Sequence, residues 1–254
     1  MIDTKPARKP RTQGTIRPYR PEDRAAVRDI CCRTAFRNAG CELMFEDREL
    51  HADYWTRYYT DMTPEQTWVV EEDGKVIGYF FGCTDTRAYT RAMAGRIVPP
   101  MLVRALWRLV TGRYQKRQTR AYLWHMLRHG AAEAPPMDFT RYPAHFHCNI
   151  LRQGVGKKYY SSLLIAFLNR LDAAGISRLH GFLTEEAEGS AWGKVIDGFL
   201  HAHPDIGFEV LSERPTHLFK AVLGDTKPMV NRGWGMTVAH YHHYARFLRD
   251  HYRL

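Results

Sequence analysis

Residues 145–164, HFHCNILRQGVGKKYYSSLL, gather the side chains best suited to chemistry. His145 and His147 are two positions apart, so on a strand they share one face. Imidazole titrates near neutrality and can take a proton from an incoming ammonium, directly or through water. Two hydrogen-bonded histidines beside a cleft would leave the same mark in a sequence. Gly154 and Gly156 follow, with Lys157 and Lys158 after them. A strand that breaks at glycines into a helix brings bare N–H groups and the positive helix end toward an anion, and the lysines add charge. A metal at the histidines would need a third ligand that the pattern does not supply, and none is expected.

Two phosphate-binding patterns are excluded by spacing. A dinucleotide fingerprint needs a third glycine where Tyr159 stands. A P-loop needs a glycine at Leu151 and a hydroxyl residue at Lys158. A third pattern, Gln/Arg-x-x-Gly-x-Gly/Ala, is met in its two glycines by LRQGVG, with Leu151 in the lead position and Arg152 one place later.

The surrounding elements decide which anion is meant. A short strand at 15–20 precedes a helix opened by Pro21-Glu22-Asp23, where proline and acids suit a first turn. A second helix is expected over 46–60. Strands at 67–72 and 75–86 are joined by Asp73-Gly74, a strong two-residue hairpin signal. Residues 87–142 read as two amphipathic helices in a hairpin. Leu102, Val103, Leu106, Trp107 and Val110 form the apolar underside of the first; Arg104 and Arg108 face out. The spacing then predicts a strand at 144–151, a helix at 157–174, a strand at 178–185, a helix at 190–203, strands at 208–213 and 217–223, and a last helix at 237–252. Hairpin strands followed by a βαβ unit require a mixed sheet.

Element order and motif together resemble the GNAT superfamily of N-acetyltransferases. The resemblance covers roughly residues 15–223. It rests on TIRPYRPEDRAAV, on the WVVEEDGKVIGYFFG hairpin, and on YPAHFHCNIL followed by RQGVGKKYYSSLL. The YPAHxH strand is similar to that of a bacterial subgroup with a helical insertion, here 87–142. The implied fold is α+β, a mixed sheet with helices, preceded by a basic arm at 1–14 and followed by an extension at 224–254.

The resemblance implies acetyl-CoA, or a related acyl-CoA, as co-substrate and direct attack by a small amine. The strand before the glycines would splay from its neighbour and pair with pantetheine around Asn149, Ile150 and Leu151. Arg152, Gln153, Gly154, Val155, Gly156, Lys157 and Lys158 would surround the pyrophosphate. His145 and His147 are the candidate bases. GNAT enzymes often place a tyrosine acid in the helix after the fifth strand; here Phe199-Leu200 has none, and His203 or His201 is the candidate substitute. A domain that keeps the fold and binds a ligand or partner without turnover is the alternative.

Bulk properties agree. The 254 residues carry a net charge of +10, concentrated at 1–20 and 87–142. CoA phosphates satisfy such charge as well as nucleic acid would, and no nucleic-acid-binding signature is present. No stretch is long and apolar enough to span a membrane, and the five cysteines form no CxxC pair. These features suggest a cytoplasmic protein with reduced thiols. A homodimer is compatible with the sequence. The histidines at 240, 242, 243 and 251 read as a surface helix.

Overall fold

Asp73 and Gly74 both take positive φ, 51° and 71°, as a tight hairpin between β2 (Thr67–Glu72) and β3 (Lys75–Cys83) requires. In this computed structural model the described residues are 14–155, 157–188, 191–204 and 208–251. The hairpin starts a seven-stranded sheet of order β1-β2-β3-β4-β5-β7-β6. The other strands are β1 (Thr15–Pro18), β4 (Ala144–Ile150), β5 (Arg178–Glu186), β6 (Glu209–Thr216) and β7 (Met229–Thr237). Every pairing is antiparallel except β4 with β5.

Helices cover both faces. On one, α1 (Arg24–Asn38) and α2 (Arg48–Asp61) bury Val27, Ile30 and Tyr59 against Val69, Tyr79 and Phe81. On the other, α6 (Tyr159–Ala173), α7 (Ala191–Ala202) and α9 (Val238–His251) bury Leu163, Phe167, Phe199 and Tyr244 against Phe80 and Trp234. Strand alternation divides β4 between them: Phe146, Cys148 and Ile150 join the α6 side, and His145, His147 and Asn149 face the α1–α2 side.

Two sequence expectations are corrected. Residues 217–223 were expected as a strand and form helix α8 (Leu218–Leu223), closed by Gly224 at φ 75°. The strand that completes the sheet is β7, inserted between β5 and β6. Its apolar residues are interrupted by Asn231, Arg232, Gly233 and Gly235, which conceal the strand pattern. The two strand glycines leave room for other side chains: a Cβ at Gly235 would lie 2.5 Å from the Tyr142 ring, and one at Gly233 2.6 Å from Ser212 Oγ.

The second correction concerns residues 86–130, which hold α3 (Thr86–Ala92), α4 (Val98–Val110) and α5 (Arg117–His129). Rather than mainly packing on each other, α4 docks on α2 and α5 on α8. The expected polarity of α4 is reversed. Arg108 ion-pairs with buried Asp47 and turns inward, while Arg104 stays half-exposed as its tip reaches Asp53 at 3.4 Å. The apolar stripe faces solvent. Burial favours the neutral form of Asp47, but Arg108, Tyr114 Oη and the Leu50 N–H together hold its carboxyl below the usual range. An ionised carboxylate under α4 needs a cation, and this selects the buried face.

Candidate active site

Strands β4 and β5 pair only at Ala144–Leu179 and His145–His180, then separate. The outer side of each remains laddered, β4 to β3 as far as Ile150 and β5 to β7 as far as Glu186. The Leu151 N–H donates to Ile77 O at 2.8 Å, which sets the alternation of the β3–β4 ladder. The in-plane backbone groups of Phe146, Cys148 and Ile150 therefore point toward β5. The Val238 N–H bond to Ser177 O, 2.9 Å, likewise turns those of Phe182, Thr184 and Glu186 toward β4. The result is a wedge with strand edges on both sides, open over roughly 16 Å of β4. The sequence had placed this edge around Asn149–Leu151; the ladder assigns Asn149 and Leu151 to β3 and gives Ile150 to the wedge.

The wedge ends at the glycine turn. Arg152, Gln153 and Gly154 form one 3-10 turn, and α6 starts at Tyr159 without a side-chain cap. Gly154 is buried, and a Cβ there would lie 2.6 Å from Ile150 Cγ2 and 3.1 Å from Ile77 Cδ1. Its φ is not among the positive ones, so glycine is required for space. The N–H groups of Gly154, Val155 and Lys157 bond back to Leu151, Arg152 and Gly154. Much of the expected N–H cradle is thus closed on itself. Lys157 is ion-paired with Glu72, whose Oε1 also accepts from Tyr159 Oη at 3.1 Å. Arg152, Gln153 and Lys158 are exposed beside the turn, and Gly156 lies outside the described residues.

At the apex of the wedge stands a group of histidines. Thr86 Oγ1 donates to Pro143 O at 2.7 Å, so it must accept from His145 Nδ1, also at 2.7 Å. That places the ring proton on Nδ1 and leaves Nε2 to accept from Tyr59 Oη at 2.8 Å. Both nitrogens of His145 are occupied. Burial, then the proximity of His180 and His147, pushes its pKa well down.

His147 Nε2 lies 3.1 Å from Asn149 Nδ2, which also donates to Tyr79 Oη at 2.7 Å. The amide makes Nε2 an acceptor and puts the proton on Nδ1. Burial lowers the pKa to about 4, so the ring is neutral near pH 7. Trp55 stacks on His147 at 5.3 Å and is itself partly exposed.

His180 is the third member, 5.5 Å from His145 between ring centroids. Its Nδ1 donates to Tyr142 O at 2.8 Å, while Nε2 is buried with no hydrogen-bond partner. Burial pushes its pKa down to about 4, against the opposing pull of the Tyr142 carbonyl. His203 is elsewhere. It packs on Phe199 and Phe247, on the α7–α9 side of the sheet.

Sequence reasoning missed His180, Trp55, Tyr59 and Thr86. One signal was available: His51, Trp55 and Tyr59 recur every fourth residue and form one stripe of α2. That stripe carries the stacking partner of His147 and the donor to His145. A second feature is visible only in three dimensions. Phe36, Arg37 and Asn38 have φ of 48°, 61° and 68°, a left-handed run costing non-glycine residues about 1–2 kcal/mol each. It holds Phe36 against His51, Tyr122 and Phe219, and Arg37 at 3.0 Å from Glu186 at the far end of β5. The aromatic wall of the cleft therefore contains backbone strain. Among the described residues, no group of three or more His, Cys, Asp or Glu is placed to hold a metal ion.

No protein-family model and no curated protein sequence matches the chain. Solved structures do. The chain is similar to SsHAT, with 21% identity over 89% of this chain and 98% of that one, at a TM-score of 0.55. A putative acetyltransferase from Salmonella typhimurium, solved with acetyl-CoA, aligns at 15% identity over 89% and 94% with a TM-score of 0.47. A GNAT superfamily phosphinothricin acetyltransferase from Sinorhizobium meliloti, in complex with acetyl-CoA, aligns at 14% over 89% and 88% with a TM-score of 0.46. At such identities the likeness is one of fold. The seven-stranded mixed sheet with helices on both faces matches the GNAT acyl-CoA N-acyltransferase fold.

Proposed function

We propose that the protein transfers an acyl group, acetyl in the first instance, from acyl-CoA to a small amine. The observation that carries this is the β4–β5 wedge. It exposes two strand edges in the middle of a sheet, an arrangement that needs an extended, amide-bearing occupant to satisfy it. Pantetheine, with two amides on a narrow chain, fits that requirement. The glycine motif at the wide end fits the pyrophosphate that follows. Since Lys157 is engaged by Glu72, the charge for the CoA phosphates comes from Arg152 and Lys158, with Gln153 and the α6 N-terminus beside them.

Pantetheine lying along Phe146–Ile150 carries the thioester toward the apex, where the histidines stand. The amine enters from the α1–α2 side, past Trp55 and Phe36. Its nitrogen adds to the carbonyl carbon, and collapse of the tetrahedral adduct breaks the C–S bond and releases CoA thiolate. In this scheme His147, with its proton on Nδ1, donates to a substrate oxygen. The proton shed by nitrogen is assigned to Nε2 of His180, the lone pair of the group that has no protein partner. His145, with both nitrogens bonded, positions the group. His203 has no part in this scheme.

Calorimetric titration with acetyl-CoA tests the proposal. Binding at micromolar concentrations, with thiol released when an amine is added, is the expected result. No heat at concentrations on the order of hundreds of micromolar would overturn it. Tight binding without thiol release across a panel of amines would favour a non-catalytic binding module.

A further inference from the structure

We propose that the outer face of α4 seats the protein on an anionic lipid bilayer surface. On this helix Leu102, Val103, Leu106, Trp107 and Val110 are 53, 69, 63, 51 and 76% exposed. A surface helix ordinarily turns such a stripe inward. Here the inward face is fixed by Arg104 and Arg108 on Asp53 and Asp47 of the α2 region, so the outward stripe is held in place by ion pairs. Trp124 and Leu127 of α5 are exposed as well, at 57 and 71%. An exposed apolar stripe of five large residues on one helix marks an interaction surface.

Charge selects the occupant. Residues 86–132 contain ten basic residues and no acidic one. Exposed Arg96 precedes α4, and exposed Arg113 and Arg117 follow it. Arg113 lies over the Trp107 ring at 4.8 Å and Arg128 over Trp124 at 4.2 Å. A second copy of this face, parallel or antiparallel, would set arginine against arginine with no carboxylate to intervene. An anionic bilayer accepts both components: apolar side chains enter the acyl boundary, while indoles and guanidinium groups remain among the phosphates. Among the described residues no helix is long and apolar enough to cross a membrane, so the contact is peripheral.

Cosedimentation of the full chain with vesicles tests this. Phosphatidylcholine vesicles containing about one-third phosphatidylglycerol should bind the protein, and pure phosphatidylcholine vesicles should bind it at least about tenfold more weakly. Raising salt well above physiological strength should release it. The double variant Leu106→Ser/Trp107→Ser should lose binding by about tenfold or more, with its melting temperature and acetyl-CoA titration unchanged. Arg96→Gln alone should weaken binding about fivefold, separating charge from apolar contact. Three results would overturn the proposal: no sedimentation with anionic vesicles; a dimer in light scattering that the double variant makes monomeric; or retention on an acidic polypeptide without vesicle binding.

Discussion

Replacing Gly154 by alanine tests the link between packing and ligand. The added Cβ would sit 2.6 Å from Ile150 Cγ2, 3.1 Å from Ile77 Cδ1 and 3.5 Å from Tyr159 Cδ2. Ordinary carbon contacts lie near 3.5–4.0 Å, so the first overlap is about 1 Å. Ile77 and Ile150 sit on adjacent laddered strands and cannot both withdraw, so the turn must move outward. Overpacking of this kind costs about 1–3 kcal/mol of stability. A shift of about 1 Å also misdirects the groups beside the CoA phosphates. Losing one charge-assisted bond, worth roughly 1.5–3 kcal/mol, raises the acetyl-CoA Kd about tenfold or more. Calorimetry and thermal melting of Gly154→Ala measure both effects. Gly95→Ala, where the new Cβ meets nothing within 4 Å inside a helical turn, is the control and should leave the Kd unchanged and the melting temperature unchanged or slightly raised. An unchanged Kd with a lowered melting temperature would show that the turn serves packing alone. No change in either would refute the packing argument itself.

Other outcomes follow from the same geometry. Lys157→Ala leaves the Glu72 carboxylate, 9% exposed, without its cation and should lower stability by about 3 kcal/mol in denaturant titration; Lys158→Ala should leave stability alone and weaken acetyl-CoA binding. His180→Phe should reduce kcat by about a hundredfold or more while KM for acyl-CoA is kept, and equal loss in both would point to a merely structural histidine. Stability should fall as pH drops from about 6.5 to about 4. Buried His51, His147 and His180 have folded pKa values near 4 and that of His145 is pushed well down too, so unfolding takes up protons throughout that window, and the stabilisation present above it is lost below. With all four contributing, the slope is roughly 5 kcal/mol per pH unit in the middle of the window; a flat profile over this range would contradict their neutral burial.

The parts of the fold that were legible in the sequence are those governed by local chemistry. Asp73-Gly74 announces its hairpin because few other pairs accept two positive φ values. Pro21-Glu22-Asp23 likewise marks the entry to α1, and Gly154 marks the strand-to-helix turn, although its reason is space. The parts that were not legible depend on distant partners. β7 is recognised only once β5 and β6 flank it, since two glycines and two polar residues break its pattern. The orientation of α4 is set by Asp47 and Asp53, 61 and 51 residues before the arginines they pair with, against the usual preference for burying leucine. His145 and His147 were found by alternation, but their roles were not, because proton placement depends on Thr86, Tyr59 and Asn149. His180 gave no sign: its significance is an unpartnered nitrogen, a property of the packed structure.

Amide hydrogen exchange with and without acetyl-CoA tests the central claim most directly. In the free protein the His147 and Asn149 amides are held in the β3–β4 ladder, and the Cys148 and Ile150 amides face the wedge. If pantetheine occupies the wedge, acetyl-CoA should slow exchange at Cys148 and Ile150 by one to several orders of magnitude, on the order of a buried ladder bond, and change His147 and Asn149 little. Binding of acetyl-CoA that leaves Cys148 and Ile150 exchanging at their free rates would contradict the account.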